Sequence, residues 1–174
     1  MESIATLIDE SGAVRRGNFA LSDGSLMDYY IDKYVFETDP DVLDEIASTI
    51  ANKLVEEEFD LLAGPGLGAV PLVTAISLEI RVPTVFVRSG VDHRGTQARI
   101  EGEIHKGQRI VLIDDVSMTG ETALETARIL ENAGGAVDCI IVVVDRNEGA
   151  VDRVAEAGYD FSYLTQVGED LQIE

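Results

Sequence analysis

Short apolar runs alternate with stretches of helical spacing over the C-terminal two-thirds of the chain. The runs are rich in Val, Ile and Leu and show little polar alternation, which is typical of parallel strands buried on both faces of a sheet. They predict strands at Asp60–Ala63, Thr84–Arg88, Arg109–Asp114 and Cys139–Asp145.

Helical spacing fills the intervals between the predicted strands. It covers about Gly68–Ile80, Glu121–Asn132 and Gly149–Ala157. Earlier in the chain, Asp39 is placed to cap a helix whose first position is Pro40. This alternation predicts an α/β fold with a central parallel sheet and right-handed crossovers. No internal repeat or low-complexity linker divides the sequence, so we expect residues 1–174 to form a single domain.

The segment Ser89–Gly107 departs from the pattern. It is polar, contains four glycines and has no sustained period. A loop of this length inside a compact domain is usually functional. We therefore expect it to take part in binding or catalysis.

The charge of the chain is strongly negative. Its 174 residues include 33 acidic and 13 basic side chains, so the formal net charge is −20. Such a surface repels nucleic acid phosphates and anionic lipids, and we expect neither a nucleic acid nor a membrane partner. The acid excess and the scarcity of lysine predict adaptation to molar salt, as in a halophilic archaeon. An ordinary acidic cytosolic enzyme is the alternative.

The sequence shows no targeting signal. The N-terminal residues MESIATLIDE are acidic and lack the basic and then apolar order of a signal peptide. No apolar run approaches the about 18 residues that span a membrane. The single cysteine, Cys139, cannot form an internal disulfide and is expected in the core. We expect a cytoplasmic protein.

The most informative stretch is Arg109–Thr122, which reads RIVLIDDVSMTGET. It predicts a buried strand, then Asp114 and Asp115 at the exposed carboxyl end of that strand, and then a turn of small residues that opens a helix. Ligands of open α/β sheets bind outside the carboxyl ends of the strands. The N–H groups of Met118–Glu121 and the neighbouring hydroxyls are therefore expected to cradle a phosphate.

The two aspartates would repel a phosphate bound directly to them. We expect them to bind ribose hydroxyls, or Mg²⁺ through water. The alternative is an acidic cap on an ordinary strand–helix turn.

The same stretch resembles the phosphoribosyl pyrophosphate signature of the type I phosphoribosyltransferases. Within that family the sequence is most similar to the orotate phosphoribosyltransferases, and four further segments between about residues 14 and 150 agree. In the family these segments cover the base, contact pyrophosphate, form the mobile catalytic loop and supply an orotate-binding arginine. They are Gly17–Asp32, Ala63–Pro71, Arg88 through Gly102, and Val144–Gly149.

The resemblance implies a fold and a reaction. The fold is a central parallel sheet flanked by helices with a small N-terminal hood, here residues 1–36, and a mobile catalytic loop, here residues 89–107. The reaction converts orotate and phosphoribosyl pyrophosphate to orotidine 5′-monophosphate and pyrophosphate, with Mg²⁺ as cofactor. The resemblance also implies a homodimer in which Arg88 and the loop after it reach into the neighbouring subunit's site.

The resemblance assigns roles to individual positions. The catalytic positions are Arg88, His93, Arg94, Asp114 and Asp115, and the last two are also the positions for Mg²⁺. The positions for phosphoribosyl pyrophosphate are Gly64, Gly66, Gly68, Arg88, His93, Asp114, Asp115, Val116, Ser117, Met118, Thr119, Gly120, Glu121 and Thr122. Those for orotate are Tyr29, Tyr30, Met118 and Arg146. Each of these binding roles has a structural alternative. The glycines could form a plain turn, Arg146 a surface salt bridge, and the tyrosines an amphipathic edge strand.

The mobile loop departs from the family pattern. The family carries two lysines there, whereas this sequence has Ser89 at the first and no lysine at the second. Arginines of the loop can replace lysines as phosphate ligands, because a guanidinium binds phosphate bidentately. Two other functions stay open: a nucleotide sensor with little or no turnover, and a phosphoribosyltransferase for another base, which Met118 suggests.

Overall fold

Six strands form the central sheet of the protein, which a computed structural model describes over residues 3–20, 26–90 and 99–173. In chain order, the strands of the molecule are β1 Val14–Ala20, β2 Leu26–Ile31, β3 Leu61–Pro65, β4 Thr84–Val87, β5 Ile100–Glu101, β6 Arg109–Ser117, β7 Ala136–Asp145 and β8 Asp160–Gln166. The sheet order is β5-β4-β3-β6-β7-β8, with β3, β4, β6, β7 and β8 parallel and β5 antiparallel at the edge. The predicted α/β class is confirmed.

Helices cover both faces of this sheet. They are α1 Ile4–Glu10, α2 Lys33–Thr38, α3 Pro40–Leu54, α4 Gly66–Ile80, α5 Glu121–Asn132 and α6 Ala150–Glu156. Helices α3 and α4 bury one face together with Val111 and Ile113 of β6, whereas α5 and α6 bury the other face together with Ile110 and Leu112. The side chains of β6 therefore alternate between two apolar cores, as the pleat of a strand requires.

Local sequence signals explain where α3 begins. The carboxylate of Asp39 accepts hydrogen bonds from the backbone N–H groups of Asp41 (3.0 Å) and Val42 (3.3 Å), and Pro40 holds the first helical position. This is the cap that the sequence predicts. No helix among residues 3–20, 26–90 and 99–173 is both long and apolar enough to cross a lipid bilayer.

The N-terminal segment forms α1 and an antiparallel hairpin of β1 and β2, which lies outside the main sheet. Helix α1 contacts α3 and β8. Its buried face consists of Ile4, Ala5 and Ile8. The apolar runs do not predict α1, the hairpin, the short α2 or β8, because each of these elements contains only a few apolar positions.

Two predicted boundaries need correction. Strand β6 continues to Ser117 rather than ending at Asp114, so both aspartates lie inside the strand. The segment Ser89–Gly107 is not loop throughout: its residues Ile100–Glu101 form β5 against β4, and Ile100 and Ile104 pack against the α5 core. Residues 91–98 of that segment lie outside the described residues.

Candidate active site

The two aspartates of the signature turn are buried. Asp114 is 6% exposed and Asp115 is 3% exposed, which corrects the expectation of an exposed strand end. Burial follows from the extension of β6 to Ser117, because the flanking strand ladders and helices cover the additional residues. Alternation along β6 turns Asp114 to the face of α5 and Asp115 to the face of α4.

Both carboxylate oxygens of Asp115 accept hydrogen bonds. Lys33 Nζ, at the start of α2, lies 2.7 Å from Asp115 Oδ2. The backbone N–H of Val116 donates to Asp115 Oδ1 at 2.5 Å, so that N–H is already used within the protein. Burial lowers the pKa of Lys33, but the hydrogen bond to Asp115 and the charges of Asp115 and Asp114 outweigh it, and the net shift is upward.

A third acid stands beside this pair. Glu37, one turn after Lys33 in α2, is 3% exposed, and neither of its carboxyl oxygens has a hydrogen-bond partner among the residues that the structure describes. Burial and then the charge of Asp115 raise its pKa to about 8. The same two causes raise the pKa of Asp114 well above its usual range, against the hydrogen bond from the Asp115 N–H and the charge of Lys33.

The turn between β6 and α5 lines a cavity of about 470 Å³. Gly120 is the N-cap of α5 with φ +77°, and a Cβ there would lie 2.8 Å from Val154 Cγ2, so glycine is required. The remaining lining residues are Asp114, Val116, Ser117, Met118, Thr119, Glu121, Thr122, Ala123 and Glu125. The N-terminal N–H groups of a 12-residue helix and several hydroxyls thus face the space in which the sequence predicts a phosphate.

The donor set at this cavity fits Mg²⁺ bound mainly through water and a ligand. Among residues 3–20, 26–90 and 99–173, no group of three or more His, Cys, Asp or Glu side chains is arranged to hold a metal. Mg²⁺ usually keeps several waters and takes one or two carboxylates together with substrate phosphates. Asp114 offers such a carboxylate to the cavity, whereas Asp115 is turned to Lys33.

The three glycines after β3 serve different purposes. Gly64 lies inside β3, where a Cβ would meet Ala69 Cβ at 2.9 Å, so it lets α4 pack on the strand rather than forming part of a turn. Gly66 begins α4 with φ +63°. A Cβ on Gly68 would lie 1.9 Å from Asp115 Oδ2. The free N–H groups of this helix start, which Pro65 does not cap, remain available to an anion.

Arg146 lies beside the phosphate cradle. Its backbone N–H donates to the carbonyl oxygen of Ser117 at 2.9 Å, at the ends of the paired strands β6 and β7. Its Nε donates to the Tyr29 hydroxyl at 3.2 Å, and the guanidinium carbon lies 4.8 Å from the centre of that ring. One terminal nitrogen lies 2.8 Å from Glu148 Oε1.

The two adjacent tyrosines point in opposite directions along β2. Tyr29 contacts Arg146, whereas Tyr30 is 42% exposed and lies beside Phe19, with ring centroids 6.0 Å apart. The structure therefore brings Tyr29 to the predicted orotate residues and leaves Tyr30 on the other face of the hairpin. Met118 is 40% exposed at the mouth of the cavity.

A second cavity, of about 390 Å³, shares Thr122 and Glu125 with the phosphate cradle. It is lined by Arg88 and Ser89 after β4 and by Arg99 before β5. Arg88 Nη1 lies 3.3 Å from Glu101 Oε1, and Arg99 Nη2 lies 2.9 Å from Glu125 Oε1. Two guanidinium groups therefore stand next to the cradle. The predicted catalytic residues His93 and Arg94 lie outside the described residues.

Sequence reasoning missed three residues of the site: Lys33, Glu37 and Glu148. For Lys33 and Glu37, the available signal was their spacing: residues four apart lie on the same face of a helix, and the two precede the capped helix α3. Nothing in the sequence indicated that they meet Asp115, which lies 82 residues after Lys33. Cys139, by contrast, lies in β7 as expected, and burial raises the pKa of its thiol to about 11.

Comparison with known proteins agrees with this architecture. The family model described as "Phosphoribosyl transferase domain" matches residues 36–163. The orotate phosphoribosyltransferase of Thermococcus gammatolerans is 44% identical over 177 aligned positions, which cover 99% of this chain and 94% of that protein.

Two solved structures are similar throughout the chain. The structure of Leishmania donovani UMP synthase matches with a TM-score of 0.81 and 38% identity over 94% of this chain, which spans 35% of that longer protein. The Mycobacterium tuberculosis orotate phosphoribosyltransferase, solved in complex with 5-phospho-alpha-D-ribosyl 1-diphosphate, matches with a TM-score of 0.79 and 26% identity over 98% of this chain and 97% of its own.

The fold is that of the phosphoribosyltransferase class. Within that class, the chain belongs to the orotate phosphoribosyltransferase family.

Proposed function

We propose that this chain transfers the phosphoribosyl group of phosphoribosyl pyrophosphate to orotate, which gives orotidine 5′-monophosphate and pyrophosphate in pyrimidine biosynthesis. The observation that carries the proposal is the 2.9 Å hydrogen bond from Arg146 N–H to the Ser117 carbonyl. It joins an arginine suited to a planar carboxylate to the turn suited to a phosphate. A molecule with a sugar phosphate at one end and a carboxylated base at the other would fit both.

The donor phosphate ester binds at the start of α5 in this proposal. The N–H groups of Met118–Glu121 and the hydroxyls of Thr119 and Thr122 hold the 5′-phosphate, and Asp114 and Asp115 accept from the ribose hydroxyls. The start of α4 at Gly66 and the guanidinium of Arg88 hold the pyrophosphate. Mg²⁺, when bound, offsets charge on the pyrophosphate; Asp114 would hold it, through water, with Asp115 nearby.

The reaction is a displacement at C1′ of the ribose. The bond from C1′ to the pyrophosphate oxygen breaks and its electron pair leaves with pyrophosphate, while N1 of orotate bonds to C1′ and its proton passes to solvent. The protein lowers the barrier by fixing both partners and by stabilising the departing anion. Arg88 and Arg99, together with His93 and Arg94 of the loop, supply positive charge in place of the family's lysines.

Orotate is held by its carboxylate in this scheme. Arg146 pairs with that group, Tyr29 fixes the guanidinium by a hydrogen bond and by ring contact, and Met118 borders the base. Tyr30, on the other face of the hairpin, would act only through the packing of β2.

The test is turnover of orotate with phosphoribosyl pyrophosphate and Mg²⁺, followed by loss of orotate absorbance and by pyrophosphate release. Replacing Asp114 and Asp115 together by Asn should remove most affinity for phosphoribosyl pyrophosphate in calorimetry, whereas the exposed Asp44→Asn in α3 serves as the matched control. Unchanged affinity in the double variant would refute the assignment of the site.

The same assay separates the two alternatives. Binding of phosphoribosyl pyrophosphate without turnover of any base would indicate a sensor, which the missing loop lysines favour. Turnover with a purine or another pyrimidine but not with orotate would indicate a different base specificity.

We also propose a homodimer with shared active sites. Support comes from the family and from Arg88, whose backbone N–H donates to the Arg99 carbonyl at 2.8 Å, so the residue is anchored beside the loop that would cross to the neighbour. Arg88→Ala and the Asp114/Asp115 double variant, each nearly inactive, are mixed and allowed to exchange subunits. Random exchange makes about half the dimers mixed and should restore about a quarter of wild-type activity. No recovery after confirmed exchange would refute sharing.

We infer further that the protein is cytoplasmic, has no nucleic acid or membrane partner, and is adapted to high salt. The support is the net charge of −20, whose self-repulsion extends over a Debye length of about 30 Å at 0.01 M salt but about 3 Å at 1 M. The melting temperature should therefore rise between these salt concentrations. A flat or falling melting temperature would contradict salt adaptation.

A further inference from the structure

Helix α2 brings a lysine to the acids of β6 that the scheme above does not use. Lys33 Nζ lies 2.7 Å from Asp115 Oδ2, and the Asp115 side chain is only 4% exposed. We propose that Lys33 is a positioning residue for the phosphoribosyl pyrophosphate site, which acts by fixing the Asp115 carboxylate and offsetting its charge. This inference rests on the proposed function.

Contacts at both oxygens orient the Asp115 carboxylate. Lys33 occupies one oxygen of Asp115 and the Val116 N–H occupies the other, so the plane of the carboxylate is fixed. A carboxylate oxygen can accept more than one hydrogen bond, so each oxygen can still accept from a ribose hydroxyl. Without Lys33, a single backbone contact would remain to orient the group.

Gly68 and Glu37 pack closely around the Asp115 carboxylate. A Cβ built on Gly68 would lie 1.9 Å from Asp115 Oδ2 and 3.0 Å from Glu37 Oε1, so the glycine leaves room only for the two carboxyl groups. Within the described part of the chain, Glu37 forms no hydrogen bond to Asp115, since neither of its carboxyl oxygens has a partner there. The ammonium is therefore the contact through which α2 holds Asp115.

The buried acids also need a positive charge nearby. Asp114, Asp115 and Glu37 are all buried, and the Lys33 ammonium forms an ion pair with Asp115 at 2.7 Å. An unpaired carboxylate beside an incoming pyrophosphate ester would repel it. Lys33 offsets that repulsion without placing a bulky group in the cavity, because it approaches from the face opposite α5.

The experiment compares Lys33→Met and Lys33→Arg with the matched control Lys53→Met, which removes an exposed lysine of α3. Affinity for phosphoribosyl pyrophosphate with Mg²⁺ is measured by calorimetry, and KM for each substrate is measured with the other saturating. Lys33→Met should weaken phosphoribosyl pyrophosphate about 10-fold or more, as expected for loss of a charged hydrogen bond. Lys33→Arg should restore most of the loss, and KM for orotate should stay within about 2-fold in both.

A merely structural role would instead lower the melting temperature and weaken both substrates alike, and that result would overturn the inference. So would wild-type affinity for phosphoribosyl pyrophosphate in a folded Lys33→Met. If Lys33→Met fails to fold, Lys33→Gln decides, because it keeps a hydrogen-bond donor but loses the charge: selective weakening of phosphoribosyl pyrophosphate supports the inference, and wild-type affinity for that substrate or equal weakening of both substrates overturns it. A wild-type chain that binds no phosphoribosyl pyrophosphate refutes the proposed function itself, and this inference with it.

Discussion

The ends of β6 and β7 lie side by side and differ in their balance of charges. At β6, the buried acids Asp114 and Asp115, with Glu37 beside them, face one ammonium, that of Lys33. At β7, Arg146 lies 2.8 Å from the carboxylate of Glu148, and the buried carboxylate of Asp145 accepts a hydrogen bond from Gln166. The acids of the first region therefore outnumber its one ammonium, whereas the arginine of the second has a carboxylate partner of its own.

This difference predicts two modes of binding. The acidic region retains acceptor capacity, so ribose hydroxyls and Mg²⁺ can be added to it without breaking an ion pair. The arginine already binds a carboxylate, so in the proposed scheme the carboxylate of orotate would compete with Glu148 for the guanidinium. Four variants test this contrast, beginning with the largest expected effect.

Removing the arginine should affect orotate alone. Arg146→Ala removes the buried guanidinium that is proposed to pair with the orotate carboxylate, and truncating one partner of such a pair typically costs about 2–5 kcal/mol, so KM for orotate should rise at least about 30-fold. Affinity for phosphoribosyl pyrophosphate should be unchanged. Steady-state kinetics with each substrate varied checks this, with the exposed Arg153→Ala of α6 as the control. Equal losses for both substrates would contradict the separation of the two regions.

Filling the space beside Asp115 should affect phosphoribosyl pyrophosphate alone. Gly68→Ala places a methyl group where the Asp115 carboxylate lies, and if overpacking of about 1–3 kcal/mol is expressed in the displaced carboxylate, KM should rise about 5- to 150-fold. Gly135→Ala is the matched control, since its Cβ would lie 2.4 Å from Ile110 Cδ1, in the core beneath α5. The control should lose stability but keep its KM. Similar KM changes in both variants would show that the effect is general destabilisation.

Neutralising the resident carboxylate should improve orotate binding. Glu148→Gln removes the charge that competes for Arg146, so KM for orotate should fall about 3- to 10-fold, which corresponds to about 0.6–1.4 kcal/mol and is within the range of an ordinary net hydrogen bond. Glu156→Gln, an exposed change on α6, is the control. A rise in KM would mean that Glu148 holds Arg146 in its binding orientation instead of competing with the substrate.

The smallest effect concerns pH and stability. The pKa of Glu37 rises from 4.5 to about 8 on folding, so between these values the folded chain keeps a proton that the unfolded chain releases. The free energy of unfolding therefore falls as pH rises through that window, and the contribution is fully lost above about pH 8. Glu37→Gln removes this titration, so the variant should melt on the order of 3 °C above wild type at pH 8.5 and less so at pH 5.

The control for that measurement is Glu56→Gln, which changes an exposed carboxylate. Melting curves of all three proteins at constant salt between pH 5 and pH 9 give the comparison. An offset between Glu37→Gln and wild type that does not change with pH would show that Glu37 is ionised throughout this range.

Local patterns in the sequence determined much of the fold and part of the site. The strands β3, β4, β6 and β7 follow from apolar runs, and α3 follows from its Asp39–Pro40 start, because both signals act between near neighbours. The turn after β6 is recognisable since its small and hydroxylated residues are consecutive. Arg146 could be placed at a strand end for the same reason, and the family resemblance joined these pieces into one reaction.

The tertiary structure alone decided how the charges are paired. The burial of Asp114 and Asp115, the contact of Lys33 with Asp115, and the pairing of Arg146 with Tyr29 all depend on which elements the sheet order brings together. Such contacts join residues 82 and 117 positions apart, and no periodicity spans those distances. The sequence does not show whether a charged residue is solvated or buried. Only packing fixes its solvation and its partner, and these two set its pKa.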